Sequence, residues 1–222
     1  MEINRIYNMD CLDGMKEIKD KSVSMVLTDI PYGECSGFVL GGLRQINKDK
    51  ADYVDFSISD MANELIRVCS GSIYVFCGEN QFSEILNIFR NGGMTCRICV
   101  WEKTNPSPMN GQHLWLSSVE CCVFGRFQKA TFNEYCKSSV WRYPCGSSKI
   151  HPTQKPIELF KRLILASSNE GDLILDPFSG SGTTAIACNQ LRRNFIAFEK
   201  NEEYYKVSIK RFKEETSQIS IF

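Results

Sequence analysis

Short apolar runs of strand length alternate along this chain with longer stretches whose apolar residues recur at helical spacing. The strand-like runs fall at residues 23–27, 72–77, 94–101, 119–124, 172–175 and 194–198, where continuous apolar character predicts strands buried on both faces. Helical patterns lie between several of them. Residues 60–68 stop at Ser70-Gly71 and residues 81–90 stop before Gly92-Gly93, both of which read as helix ends. Pro156 takes the first position of a further helix that carries Ile157, Phe160, Leu163 and Ile164 on one stripe. An amphipathic stretch, residues 202–213, lies near the end of the sequence. Alternation of this kind predicts an α/β fold, a mainly parallel sheet with helices on both faces. Residues 33–57 and 104–118, rich in Gly, Pro and polar residues, fit neither period and read as loops, the first as a mobile loop over a site.

Composition narrows the picture. A chain of 222 residues with 43% hydrophobic residues can bury one sizeable core, so residues 1–222 are expected to form one domain. No run approaches the ~18 apolar residues that cross a bilayer, and Met1-Glu2-Ile3-Asn4-Arg5 lacks the apolar core of a signal peptide. The expectation is a cytoplasmic protein without membrane contact. Its 11 cysteines then read as reduced thiols, most of them small core residues. Cys96 and Cys99 are spaced as a metal pair, but within a strand they face opposite sides, and only two histidines are present. No metal is expected.

The 26 basic and 26 acidic residues cancel, which excludes a strongly basic coat but not a local patch. Residues 126–150 form one: Arg126, Lys129, Lys137, Arg142 and Lys149 stand against Glu134 alone, interleaved with Phe127, Phe132, Tyr135, Trp141 and Tyr143. Cations meet phosphates and rings meet bases, so this segment is the candidate contact to DNA. A solvated loop anchored by a few aromatics is the plainer alternative.

Chemistry concentrates in three places. Asp29-Ile30-Pro31-Tyr32 follows the first long apolar run. Its carboxylate can accept from an exocyclic N–H, Pro31 fixes the direction of the Ile30 carbonyl, and Tyr32 can stack on a ring. Together they suit methyl transfer to an amino nitrogen of a nucleobase, although Asp and Pro also end strands for purely local reasons. The second place is Asp176-Pro177-Phe178-Ser179-Gly180-Ser181-Gly182-Thr183-Thr184, between a strand and a helix. Glycines let backbone approach a ligand and a helix N-terminus favours an anion. Glu199 ends the following strand, 17 positions after Gly182, where a carboxylate can take both ribose hydroxyls. A nicotinamide oxidoreductase would use such a loop too. Asp176 beside Thr183 and Thr184 instead suits a ligand with both an ammonium and a carboxylate, as S-adenosylmethionine has. The third is His151-Pro152-Thr153-Gln154-Lys155-Pro156.

Taken in this order, the three motifs resemble the β-class DNA amino-methyltransferases of the N6-adenine and N4-cytosine type, in which the catalytic half precedes the cofactor half. The likeness extends over nearly the whole chain, including Asn8-Met9-Asp10-Cys11, Trp101-Glu102-Lys103 and Phe198-Glu199-Lys200. It implies a Rossmann-like methyltransferase fold, S-adenosylmethionine as methyl donor, and duplex DNA with a flipped base as substrate. It also implies the site. Asp29, Ile30, Pro31 and Tyr32 would hold the target base; Asp176, Phe178, Gly180, Ser181, Gly182, Thr183 and Thr184 the methionine and adenosine; Glu199 the ribose; Asp10 and Cys11 the adenine edge; Thr153 and Lys155 the carboxylate end. Each has a plainer role open to it: Asp10 as a helix cap, Thr153 and Lys155 as shapers of a helix start, His151 as a structural hydrogen bonder.

Asp at the first position of the tetrapeptide favours adenine over cytosine within that family. Proline usually stands second there, where this chain has Ile30. The stretch between Gly125 and His151 is short for a target-recognition region, so specificity would draw on residues 33–57 or be shared across a homodimer, and a cognate restriction enzyme is a possible partner. A non-catalytic DNA-binding relative is the remaining alternative, against which an intact Asp29 and Gly182 speak.

Overall fold

The computed structural model describes residues 1–33, 55–108, 111–146 and 154–217. Eight strands of the described residues form one sheet: β1 (Arg5–Tyr7), β2 (Val23–Asp29), β3 (Cys69–Cys77), β4 (Thr95–Lys103), β5 (Val119–Arg126), β6 (Val140–Tyr143), β7 (Leu173–Asp176) and β8 (Asn194–Phe198). Their order across the sheet is β1-β8-β7-β2-β3-β5-β4-β6. Every neighbouring pair is parallel except β3 with β5 and β5 with β4. The mainly parallel sheet is as expected. The reversed β5 is an addition, since an apolar run reads alike in either direction.

Among the described residues six helices cover the two faces: α1 (Cys11–Lys16), α2 (Ile58–Val68), α3 (Glu79–Asn91), α4 (Ile157–Ser167), α5 (Thr183–Gln190) and α6 (Glu202–Ser217). Alternate side chains along each strand face opposite layers. Val26, Ile73 and Val75 pack with Met15, Met61, Leu65, Ile85 and Phe89 from α1, α2 and α3. Met25, Leu27, Tyr74 and Phe76 pack with Phe160, Leu163 and Ala185 from α4 and α5, and Ile209 and Phe212 of α6 join this layer. Cys96 falls in the first layer and Cys99 in the second, so the two thiols do face opposite sides. Among the described residues no group of three metal-ligating side chains forms, and no helix is long and apolar enough to cross a membrane.

Local details differ from expectation. Strands β1 and β6 were not anticipated; three and four residues long at the two sheet edges, they carry too little periodicity to stand out. Pro156 is the N-cap of α4 and not its first residue, with an extended φ of −61° and ψ of 128°, because its ring tolerates only that φ while its carbonyl already accepts from Phe160. Most of the loop expected at residues 33–57, with Lys149, His151 and Thr153, lies outside the described residues.

Candidate active site

Strand order reverses between β7 and β2: from β7 the chain runs outward to β8, and from β2 it runs the other way to β3. In such sheets ligands bind beyond the carboxyl ends of the strands at the reversal. Asp29 ends β2 and Asp176 ends β7. A cleft of about 1190 Å³ opens there, lined by Asp10, Cys11, Asp29, Ile30, Pro31, Tyr32, Lys155, Asp176, Phe178, Gly180, Ser181, Thr183, Thr184 and Glu199. The catalytic and donor-binding residues read from the sequence that the structure describes therefore converge, with the exception of Gly182. That glycine turns toward α6: its φ is +79°, and a Cβ there would meet Ser208 Cβ at 3.3 Å.

On the glycine side, Asp176 is buried and its Oδ1 accepts from Thr28 Oγ1 at 2.9 Å and from the Phe178 amide at 3.2 Å. Oδ2 accepts from Thr184 Oγ1 at 2.5 Å. Three donors on a group with four lone-pair sites leave one for a cationic ligand. Burial raises its pKa to about 6 against the lowering effect of those hydrogen bonds. Glu199 holds the loop through the amides of Gly180 at 2.9 Å and Asn201 at 2.8 Å, one to each oxygen. A second lone pair on each oxygen suits two vicinal hydroxyls, and burial pushes this carboxyl up to about 7.

Thr183 and Thr184, expected near a ligand carboxylate, line the cleft, but their hydroxyls also engage the protein. Thr184 spends its proton on Asp176, and Thr183 Oγ1 accepts from Arg211 Nη1 at 3.0 Å. Short polar side chains at a helix start satisfy nearby groups first. Asp10 is the N-cap of α1, accepting from the Leu12 amide at 2.9 Å, and also pairs with Lys200 at 3.2 Å. The capping alternative is thus realised while the residue still lines the cleft.

The fit to a nucleoside-bearing amino acid rests on two observations. Gly180 has a φ of +49°, and a Cβ built on it meets no protein atom within 4 Å, so backbone is bare where the cleft needs close approach. Beside it, Ser179 Oγ is buried with no hydrogen-bond partner among the described residues.

On the catalytic side, Tyr32 approaches Gly78 so closely that a Cβ there would sit 3.2 Å from Tyr32 Cβ. The Pro31 carbonyl accepts from Gln81 Nε2 at 2.7 Å, which pins the turn. Ile30 is buried and its amide donates to Phe76 at 3.1 Å. The Tyr32 hydroxyl lies 3.0 Å from Asp29 Oδ1 and 2.9 Å from Glu120 Oε2. Lys155, which the resemblance set at the carboxylate end of the donor, pairs with the acids of the catalytic side. Its ammonium lies 2.6 Å from Asp29 Oδ2 and 2.8 Å from Glu120 Oε2, with only 4% of the side chain exposed. An ammonium so buried needs a carboxylate partner, and the acids at the ends of β2 and β5 are the ones within reach. Burial raises the Asp29 pKa, with Lys155 opposing.

Glu120 was missed. It is the second residue of the reversed strand β5, and the antiparallel register of β5 on β3, Cys121 opposite Cys77 and Cys122 opposite Phe76, carries it to the edge where β2 ends.

The proposed DNA segment is corrected in part. Trp141 is core, Phe132 and Tyr143 pack against it, and Phe127 packs on the other layer. Of those rings only Tyr135 is exposed, at 78%. Arg126 turns inward, with Nη2 on the Ala130 carbonyl at 2.6 Å. Lys129, Lys137 and Arg142 remain exposed.

A carboxylate grip and a glycine loop on adjacent parallel strands define a class of enzyme that transfers a group from a nucleoside-bearing donor to an amino nitrogen. Comparison with known proteins specifies it. Residues 115–210 match the DNA methylase family of N6/N4 type. Type II methyltransferase M2.MboI of Moraxella bovis is 31% identical over 240 positions, covering 95% of this chain and 88% of that protein. M2.DpnII of Streptococcus pneumoniae is 29% identical, covering 95% of this chain and 90% of its own length. Among solved structures, the M1.HpyAVI complex with S-adenosylmethionine superposes with a TM-score of 0.72 at 26% identity, covering 93% of this chain and 98% of that one. The cytosine-N4-specific PvuII DNA methyltransferase shares the fold, with a TM-score of 0.73 at 18% identity, covering 96% and 91%. The chain belongs to the N6/N4 amino-methyltransferases of DNA, whose methyl donor is S-adenosylmethionine.

Proposed function

We propose that this protein methylates N6 of adenine at a defined site in DNA. The observation that carries the reading is the adjacency of Asp29 and Asp176, the carboxyl ends of neighbouring strands opening into one cleft. S-adenosylmethionine supplies a methyl group on a sulfonium, so the lone pair of an amino nitrogen forms the new C–N bond as the C–S bond breaks toward sulfur. Everything else falls to the chain. Asp29 and the Ile30 carbonyl accept hydrogen bonds from the two amino N–H groups and turn the nitrogen lone pair out of the ring's conjugation. Tyr32 stacks on the extruded base. Once the nitrogen is alkylated it must lose a proton, and Asp29, whose pKa burial raises, can accept it and pass it to water. Positioning and acceptor electrostatics supply most of the rate.

On the donor side Asp176 holds the ammonium, Gly180 and Ser181 the methionine backbone, Glu199 the ribose, and Phe178, Cys11 and Asp10 the adenine. The type II names of the relatives support modification at a defined sequence beside a cognate nuclease. Asp at the head of the tetrapeptide supports adenine.

Labelled S-adenosylmethionine incubated with protein and mixed-sequence DNA, followed by digestion to nucleosides, tests this directly. Label in N6-methyladenine is expected. Label in N4-methylcytosine would transfer the proposal to the other base, and label absent from DNA would sink it. Asp29→Ala should abolish transfer while retaining donor affinity; unchanged turnover would remove Asp29 from the mechanism.

A further inference from the structure

Lys155, Asp29, Glu120 and Tyr32 form a network with fewer protons than acceptors. The Lys155 ammonium has three protons and three partners: Asp29 Oδ2 at 2.6 Å, Glu120 Oε2 at 2.8 Å and the Tyr32 oxygen at 3.1 Å. Tyr32, accepting from Lys155, has one proton of its own and two carboxylates within reach, Asp29 Oδ1 at 3.0 Å and Glu120 Oε2 at 2.9 Å. One hydroxyl proton serves one of them at a time. If Asp29 takes it, both Asp29 oxygens are engaged by protein. If Glu120 takes it, Asp29 Oδ1 is open to the cleft.

We propose that Glu120 is a positioning residue for methyl transfer: by drawing the Tyr32 hydroxyl proton and sharing the Lys155 ammonium, it leaves Asp29 Oδ1 open to the amino group of the target base. This rests on the reading of Asp29 as the acceptor of that amino group.

The surroundings fix Glu120 for the task. Its other oxygen, Oε1, is held by Lys103 Nζ at 2.9 Å, and Lys103 is itself anchored where its backbone amide donates to the Ser118 carbonyl at 2.7 Å. Burial alone would raise the Glu120 pKa, but Lys155 and Lys103 together hold it at about 2, so it stays charged at any working pH. The rings of Tyr32, Phe76 and Trp101 surround the Lys155 ammonium at 5.3, 5.5 and 6.0 Å, which confines it between the two acids. Two carboxylates face two ammoniums, and the other titratable groups nearby include Cys77 of β3, Cys121 and Cys122 of β5, Glu79 of α3 and Asp176 of β7.

Glu120→Gln removes the charge and keeps the shape, so the Tyr32 proton and the whole Lys155 charge fall on Asp29. We expect kcat to drop about tenfold or more while the affinity for S-adenosylmethionine, which also certifies folding, stays within about twofold. Because the Glu120 charge raises the Asp29 pKa, its loss should move the acid limb of the kcat/KM profile for DNA to lower pH, measured with S-adenosylmethionine saturating at every pH so that Asp176 and Glu199 do not set the limb. Adding Tyr32→Phe to Glu120→Gln should cost less than Tyr32→Phe costs the wild type, since the competing proton is then gone. Glu120→Asp, which keeps the charge on a shorter arm, should hold the acid limb in place and recover a third or more of kcat; it also supplies the reading should the glutamine variant fail to fold. An unshifted acid limb in Glu120→Gln, additive costs in the double variant, or an aspartate variant no better than the glutamine one would overturn the proposal. Absence of methyl transfer to DNA by the wild type would instead overturn the function on which it rests.

Discussion

Arg211 of α6 grips Ser181 twice, its Nη1 lying 3.1 Å from the Ser181 carbonyl and 3.1 Å from its hydroxyl. The same nitrogen reaches Thr183 Oγ1 at 3.0 Å, while Nε pairs with Glu215 at 2.7 Å. The last helix thereby braces the glycine loop from beneath. Arg211→Met leaves those buried acceptors without their donor, a cost of about 2–4 kcal/mol. Thermal unfolding should show the loss, and calorimetry should show S-adenosylmethionine bound about tenfold more weakly. Donor affinity equal to wild type would mean the brace is not felt at the loop.

The two loop glycines should respond differently to Ala. At Gly182 a φ of +79° combines with a 3.3 Å approach to Ser208, so Gly182→Ala should destabilise the fold by about 1–3 kcal/mol. At Gly180 the φ of +49° is milder and the space is open. Gly180→Ala should cost the fold about 1 kcal/mol or less but weaken donor binding, because the methyl occupies cleft that the ligand needs. Equal stabilities for the two variants would contradict this division.

Donor binding should depend on pH through Asp176 and Glu199. Burial lifts both carboxyls, to about 6 and about 7, and both are read as binding in ionised form. A raised folded pKa means that the free protein binds more protons than the unfolded chain between about pH 4 and those values. It therefore loses stability as pH rises through that window. Ligand binding runs the other way on the acid side: affinity should be highest near pH 8, where both carboxyls are ionised and the ligand ammonium is still charged, and fall below pH 7 by up to about tenfold per unit per protonated group. Titrations in buffers of unlike ionisation enthalpy should register proton release near pH 6.5. Constant affinity from pH 8 to 5.5 would refute the assignment.

Replacing Lys129, Lys137 and Arg142 together by Gln should weaken DNA binding and reduce its log–log salt slope by about 3, with S-adenosylmethionine affinity unaffected. Arg126→Met should lower stability instead, since that guanidinium is tied to the Ala130 carbonyl. A salt slope unchanged in the triple variant would move the DNA-binding surface elsewhere.

The site was half legible in the sequence, and the reasons lie in particular residues. Asp29 and Asp176 stand at the ends of apolar runs, so strand periodicity alone placed them at one edge of the sheet. Glu120 stands at the start of such a run, and nothing local says that β5 is reversed. Lys155 belonged to a visible motif, yet its partner Asp29 lies 126 positions away. Arg211 and Glu215 are spaced as a surface pair on a helix, which conceals a guanidinium that points inward. The aromatics of residues 126–146 misled because an edge strand such as β6 also needs rings to close its core.

Strands β2 and β7 pair directly, Met25 opposite Ile174 and Val26 opposite Leu175. On the function proposed above, the methyl donor and the base that receives it would be held by the ends of two neighbouring strands, about 4.8 Å apart, with Thr28 bonded across to Asp176. The sheet works here as a fixed ruler, not a hinge. On that reading the gap across which the methyl group travels would follow from the register of β2 on β7, which a change in a surface loop leaves in place.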